Sequence, residues 1–269
     1  MSAILGILLG ISAIILTSQL EGDPLLALFK VDAAVIVFGG SISALLVHAE
    51  WRSIVNAVKQ ASWLVKPPPT DTVKLIGDMY DWAGIMRSSS ALALEDAADE
   101  VDDQFLKVGL GLIVAGQSYE EVRDVLYTLG DIEDRENGQG GEIWEAAGGY
   151  APTIGVLGAV LGLIHVMLRL NHPDELGPGI ATAFVATIYG VGAANLVFFP
   201  LGNRLKAIAG GRTTYREMAT EGLLQLSKGT TNPMRLRERL ENMLESRRRS
   251  GLDQETEAEG ENVQDQKAG

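Results

Sequence analysis

Four stretches of the chain are apolar over lengths approaching the ~20 residues that a membrane-spanning helix needs: Ala3 to Thr17, Ala33 to Ala49, Ala151 to Leu168, and Ile180 to Leu201. Between the second and third lies a long segment of mixed polarity. There Pro67-Pro68-Pro69 breaks the chain after an amphipathic stretch, and Thr70-Asp71-Thr72 offers a cap for a helix over Val73 to Arg87. Further helices are predicted over Ser90 to Glu100, Asp103 to Ala115 and Ser118 to Arg135. Asn137-Gly138-Gln139-Gly140-Gly141 reads as a flexible break before the third apolar block. No stretch alternates as a strand would. The pattern predicts an all-α, polytopic membrane protein with four transmembrane helices in two hairpins and a helical cytoplasmic domain between helices two and three.

The predicted divisions are a hairpin over residues 1–50, the intervening domain over 51–148, the second hairpin over 149–202, C-terminal helices over 203–250 and a disordered acidic tail over 251–269. Phe105 to Ala115 is too short to span and contains Lys107 and Gly109, so it reads as a buried cytoplasmic helix. The first block has no Lys or Arg before it and no small-residue cleavage site after it, ahead of Glu21-Gly22-Asp23-Pro24, and is expected to stay in the mature chain. The tail carries a mixed-charge helix from Arg235 that ends in Arg247-Arg248-Arg249; a solvated face and contact with anionic headgroups are both open to that cluster.

The third block is the most informative. It opens Tyr150-Ala151-Pro152-Thr153 and carries Gly155, Gly158 and Gly162 at helix-packing spacing. Glycines on a membrane helix let a second backbone approach closely, so this block reads as an interface. Pro152 has two readings: it starts the helix, where a missing N–H costs nothing, or it sits inside the helix and frees a carbonyl.

Basic residues set the orientation. Arg52, Lys59 and Lys66 follow the second block and Arg204, Lys206 and Arg212 the fourth, whereas the short connections hold only Lys30 and Arg169 at their edges. The middle segment and both termini are therefore expected to be cytoplasmic. The net charge of −13 disfavours nucleic acid and suits a basic partner surface or simple solubility. Cysteine is absent, which removes disulfides and thiolate chemistry.

No Asp or Glu lies within the blocks; Asp32 and Glu50 sit at the ends of the second. Ion relays across a bilayer usually use an ionisable side chain at mid-depth, so this chain alone looks incapable of running one. Thr153 and His165 on block three and Thr182, Thr187, Tyr189 and Asn195 on block four supply only neutral polar groups, whose plainest role is bonding to their own helix carbonyls. A phosphate-binding loop and a His-x-x-x-His pair are both missing, and no catalytic constellation supports an enzyme.

Three motifs resemble the MotA/PomA family, the A subunit of the flagellar stator. They are Tyr150-Ala151-Pro152-Thr153-Ile154-Gly155, the run Ala186-Thr187-Ile188-Tyr189-Gly190 onward to Pro200, and Val37-Phe38-Gly39-Gly40-Ser41, with serine where the family has threonine. Arg87 and Glu95 resemble the family's rotor-facing charge pair, with Ser90 in place of its usual glycine. The resemblance implies that Pro152 and Pro200 couple ion passage to motion and that Thr187 places a hydroxyl beside the ion path. Ala159 stands where sodium-driven members often have threonine, which favours protons as the coupling ion. It further implies a homo-oligomer, by resemblance a pentamer, around a dimer of a single-span B subunit that bears the ion-binding aspartate; a flagellar rotor switch protein as partner; an inner-membrane location; and no cofactor. The related TolQ/ExbB energisers usually have one span before their large cytoplasmic segment, whereas two are expected here. A passive scaffold or transporter is the reading from another class.

Overall fold

In a computed structural model, residues 2–20, 29–229, 232–247 and 249 are described, and all regular structure among them is helical. The helices are α1 (Ser2–Leu20), α2 (Val31–His48), α3 (Trp51–Gln60), α4 (Thr72–Ser88), α5 (Glu95–Glu100), α6 (Gln104–Val114), α7 (Tyr119–Leu168), α8 (Pro173–Ala193), α9 (Phe199–Ser227) and α10 (233–247). The connection 21–28 and the acidic tail 251–269 lie outside the described residues, as does Arg248 of the basic cluster.

The chain divides into two compact units, Met1–Pro68 with Arg135–Ala209, and Pro69–Asp134 with Gly210–Gly269. The first contains the apolar helices. Three helical stretches are long and apolar enough to cross a membrane, Val31–His48, the apolar part of Tyr119–Leu168, and Leu176–Ser227; the apolar part of α1 is shorter, over Leu8–Thr17. Most of their large side chains point outward, Val156, Leu157, Leu163, Ile164 and Phe184 among them. That arrangement suits lipid or other chains as the surrounding medium, not water.

In the second unit the helices close around an ordinary apolar core that includes Leu75, Met79, Leu110, Leu126, Met218 and Leu223. Its helix ends follow from local chemistry. The Asp71 carboxylate accepts from the N–H groups of Val73 and Lys74 at 3.1 and 2.9 Å, and Asp103 does the same for Phe105 and Leu106 at 3.0 and 3.2 Å, satisfying donors that the first turn leaves unpaired. Gly116, at φ +73°, ends α6, with the Gln117 N–H reaching Leu112 O at 3.1 Å. Ser118 and Glu121 then form a reciprocal capping box that starts α7, and the Ser118 backbone N–H holds the Glu121 carboxyl below the usual glutamate range. Phe105, Leu106, Leu110 and Ile113 of α6 are buried, in line with a packed helix too short to span. The segment predicted as one helix over 90–100 is a 3₁₀ turn, Ala91–Leu94, followed by α5.

The tail helix α10 docks on the same core. Asn232 caps the N–H of Met234 at 2.9 Å, Leu236 and Leu240 are fully buried at helical spacing, and Arg239 meets Glu221 at 2.6 Å. Arg247 pairs with Glu217, so this member of the basic cluster is held by the protein's own carboxylate.

The expected break at Asn137–Gly141 is absent: α7 runs without interruption from Tyr119 to Leu168. The glycines there permit close packing, not flexibility. A Cβ on Gly141 would stand 2.5 Å from Lys206 Cγ and 3.1 Å from the Gly202 carbonyl, and one on Gly202 would stand 2.9 Å from Gly141 O. Gln60 packs on Gly140 and donates from Nε2 to Glu136 O at 2.8 Å, while Trp144 Nε1 donates to Ala57 O at 3.1 Å. Gly138 has open space where a Cβ would go. Gly138→Ala is therefore expected to leave the protein intact or stabilise it by up to about 1 kcal/mol through helix propensity. Gly141→Ala should lower the thermal unfolding temperature of the purified protein, and equal melting of the two variants would contradict this account.

Candidate functional site: the wall formed by α2, α7 and α8

The site is built on a stripe of small residues where α7 and α8 run antiparallel. A Cβ on Gly155 would meet Ala186 O at 2.9 Å and Gly190 Cα at 3.2 Å; one on Gly190 would meet Ala151 O at 2.5 Å. Further along, Gly158 faces Ala186 Cβ at 3.0 Å and Ile36 of α2 at 3.2 Å, and Gly162 faces Ala183 at 2.9 Å, the distances again being those of an added Cβ. All three glycines singled out in the sequence therefore stand at helix contacts. On α2, Ala33, Val37 and Ser41 are buried at i, i+4 spacing, and the Ser41 hydroxyl makes no hydrogen bond among the described residues.

Pro152 lies inside α7, thirty-three residues after its first, so the reading in which it starts a helix does not hold. Its ring nitrogen cannot donate to the carbonyl of Gly148. Gly148 in turn lies against Phe199, whose ring carbons would be 2.8 Å from a Cβ there. Phe199 immediately precedes Pro200, so the fold brings the two proline sites together. On the α8 side, the backbone opens into a π turn over Ala194–Phe198, with the Phe199 N–H reaching back to Ala194 O. Single π turns inside α-helices occur frequently at functional sites.

The neutral polar groups largely serve their own helices. Thr153 Oγ1 donates to Tyr150 O at 2.8 Å, Thr182 Oγ1 to Pro178 O at 3.0 Å, and Asn195 Nδ2 to Val191 O at 2.9 Å. Tyr189 differs, since its hydroxyl accepts from the Lys30 N–H at 3.2 Å and ties the start of α2 to α8. Thr187 is half-buried and its hydroxyl makes no hydrogen bond among the described residues; Ala159 is half-buried beside Gly158. His165 is exposed and lines a cavity of about 490 Å³ with Lys30, Asp32, Arg169 and Asp174, at the end of the helices opposite Tyr150. No group of three or more His, Asp or Glu side chains among the described residues could hold a metal ion.

Two features escaped the sequence reading. Tyr150 OH and His48 Nδ1 are hydrogen-bonded at 3.1 Å, joining α2 to α7 two residues before Pro152. Nothing in the linear pattern pairs positions so far apart. In the second unit, Arg216 is 3% exposed, bonded to Glu133 at 2.9 Å and to Asp134, while Arg212 bonds Asp103 at 2.7 Å. The i, i+4 spacing of the two arginines, opposite Glu133-Asp134, was the available signal.

Arg87 and Glu95 lie in the second unit, in the last turn of α4 and at the first residue of α5. Both are exposed, and no ion pair joins them.

A family model described as the MotA/TolQ/ExbB proton channel family matches residues 97–218. Motility protein A of Bacillus subtilis is 34% identical over 229 residues, covering 85% of each chain, and chemotaxis protein PomA of Vibrio alginolyticus is 28% identical over 251 residues, covering 93% of this chain and 97% of that one. Among solved structures, that of the flagellar MotAB stator complex from Bacillus subtilis is similar with a TM-score of 0.80 at 33% identity, covering 93% of this chain and 98% of its counterpart. The structure of C. jejuni MotAB is similar with a TM-score of 0.82 at 28% identity, covering 90% and 94%. With these likenesses the apolar helices are those of a membrane-embedded protein. A 34% identity sustained over most of both chains, on a wall of packed glycines and two interior prolines, places the chain in the MotA/TolQ/ExbB proton channel family, alongside the motility protein A sequences.

Proposed function

We propose that the chain is the A subunit of a flagellar stator, which together with a single-span B subunit couples ion flow across the membrane to torque on the rotor. The observation that carries this is a membrane wall with no acidic residue within Ala33 to Ala49, Ala151 to Leu168 or Ile180 to Leu201, in a chain that matches solved MotAB stator complexes over nearly its whole length. A wall of glycines, hydroxyls and backbone can line an ion path but cannot bind and release the ion; the titrating carboxylate then belongs to the B subunit.

In this reading α1, α2, the apolar part of α7, and α8 give four spans of the bacterial inner membrane, with both termini and the Arg87/Glu95 surface in the cytoplasm. Five copies surround a dimer of B subunits. The coupling ion is the proton, because Ala159 offers no oxygen to a hard cation that wants several. When the carboxylate on B is neutralised, its hold on one A subunit weakens and the ring steps. Pro152 and Pro200, in contact through Gly148 and Phe199, bend the wall as it does so, and Thr187 borders the path. Arg87 and Glu95 meet complementary charges on the rotor switch protein.

The test is reconstitution. The chain alone in liposomes is expected to pass no protons above background, and co-reconstitution with its B subunit should produce a flux that a B aspartate-to-asparagine change removes. Equal flux from the chain alone would overturn the proposal. In cells lacking a stator, the pair should restore swimming in sodium-free medium. Arg87→Glu with Glu95→Arg should cut that swimming severalfold at unchanged membrane level, and undiminished swimming would remove the rotor-contact role.

A further inference from the structure

Ahead of the three prolines at 67–69 the chain repeats an apolar-then-basic pair at seven-residue intervals: Trp51-Arg52, Val58-Lys59 and Val65-Lys66. All six side chains are exposed, Trp51 by 67% and Val58 by 59%. Arg52, Lys59 and Lys66 take part in no ion pair among the described residues. No Asp or Glu lies between Trp51 and Lys66, in a chain whose net charge is −13. The stretch is a local island of positive charge.

Helical geometry sorts α3 into three faces. Ala57 and Gln60 face the protein: both are buried, Ala57 O accepts from Trp144, and Gln60 donates to Glu136 O. At 3.6 residues per turn, Trp51 and Val58 fall within ~20° of each other and roughly 140° from that face. Ile54 and Val55 flank them, which widens the apolar face. Arg52 and Lys59, again within ~20° of each other, border it on one side.

A helix with one edge on its own protein, an apolar face left open and basic side chains along the border has the makeup of one that lies in a membrane interface. Its place in the chain agrees. Only Ala49 and Glu50, both extended, separate it from the apolar helix α2, so α3 begins at the depth where a span ends and headgroups start. Tryptophan is enriched at that depth, and basic stems can lie along the apolar boundary with their charged ends on phosphate oxygens.

We propose that α3 binds anionic phospholipid: Trp51 and Val58 enter the acyl boundary of the leaflet at the His48 end of α2, and Arg52, Lys59 and Lys66 hold the headgroup phosphates. The proposal rests on α2 spanning the membrane, and in the orientation given above this leaflet is the cytoplasmic one. Because the opposite edge of α3 is bonded to α7 upstream of Pro152, the bound lipid fixes where α7 leaves the bilayer.

The test is fluorescence quenching in nanodiscs that hold the full chain with its B subunit in mixed phosphatidylcholine and phosphatidylglycerol, each lipid carrying bromine on its acyl chains in turn. It needs no ion flow, rotor or motility, and the two leaflets of a nanodisc share one composition, so a failure of the stator reading or of the orientation leaves it standing. Brominated chains quench tryptophan by contact, and the part of the quenching lost in Trp51→Phe reports the α3 face. Phosphatidylglycerol is expected to take that face at least about fivefold more readily than phosphatidylcholine, the effect of one basic residue near an anionic surface. Arg52→Gln with Lys59→Gln and Lys66→Gln should abolish the preference while the complex keeps its elution volume. A triple variant that retains the preference, or an unaltered chain that shows none, would overturn the proposal. Trp51 quenched by neither lipid would overturn it in favour of a second copy of the chain covering this face.

Discussion

Replacing Arg216 by alanine is expected to destabilise the second unit by about 3 kcal/mol, the lower end of what breaking a buried charge network costs. The side chain is 3% exposed and carries bonds to Glu133 and Asp134, and Asp134 also accepts from Thr213. Removing the guanidinium leaves Asp134 without its counter-charge and Glu133 with only the longer contact to Arg212 at 3.9 Å, and it opens a void against Gly130, where the arginine stem packs. Glu133 and Asp134 keep partial access to water, which moderates the loss. Arg216→Lys should recover part of it, since an ammonium restores charge but not the forked geometry. Arg239→Ala, which removes an exposed ion pair with Glu221, should cost no more than about 1 kcal/mol. The comparison is made by thermal unfolding of the purified complex, and similar melting temperatures for Arg216→Ala and Arg239→Ala would refute it.

The second large effect is expected at Gly190. A Cβ there would stand 2.5 Å from Ala151 O and 3.0 Å from Gly155 Cα, and both neighbours are backbone, so no side-chain rotation can relieve the clash. The helices must separate along the whole stripe, which loses the contacts at Gly158 and Gly162 as well. Gly190→Ala should therefore cost about 3 kcal/mol, the upper part of the usual range for overpacking, and should deplete the protein from membranes. Gly192→Ala, two residues on, meets nothing within 4 Å and should be silent. Membrane levels measured by quantitative blotting decide between them; equal levels would show that the stripe tolerates an added methyl group.

The features legible in the sequence are those governed by near neighbours. Asp71 announced the start of α4, the apolar runs announced α2 and α8, and Gly155, Gly158 and Gly162 announced a close helix contact, because capping and helical spacing operate over a few residues. Gly138 to Gly141 misled for the same reason. Taken alone, such a run suggests flexibility; its order comes from Gln60 and Gly202, distant in the chain. Pro152 shows the limit from the other side: its place inside α7 depends on how far the helix extends upstream, which the proline does not encode. The partners of Arg216 and the bond between His48 and Tyr150 are assembled from remote segments, and no local signal carries them.

The π turn at Ala194–Phe198 has a consequence for how α8 passes into α9. Gly190 faces Ala151 and Gly155, and twelve residues later Gly202 faces Gly141, on the same helix α7. In an uninterrupted α-helix at 3.6 residues per turn, those positions would point ~120° apart. One additional residue in a turn winds the following helix back by ~100°, bringing the two glycines to within ~20° of one azimuth. The π turn thus acts as a phase corrector that lets one seam between two helices continue past a place where their repeats disagree. Losing a single residue from it would leave a straighter helix and turn Gly202 and Lys206 away from α7.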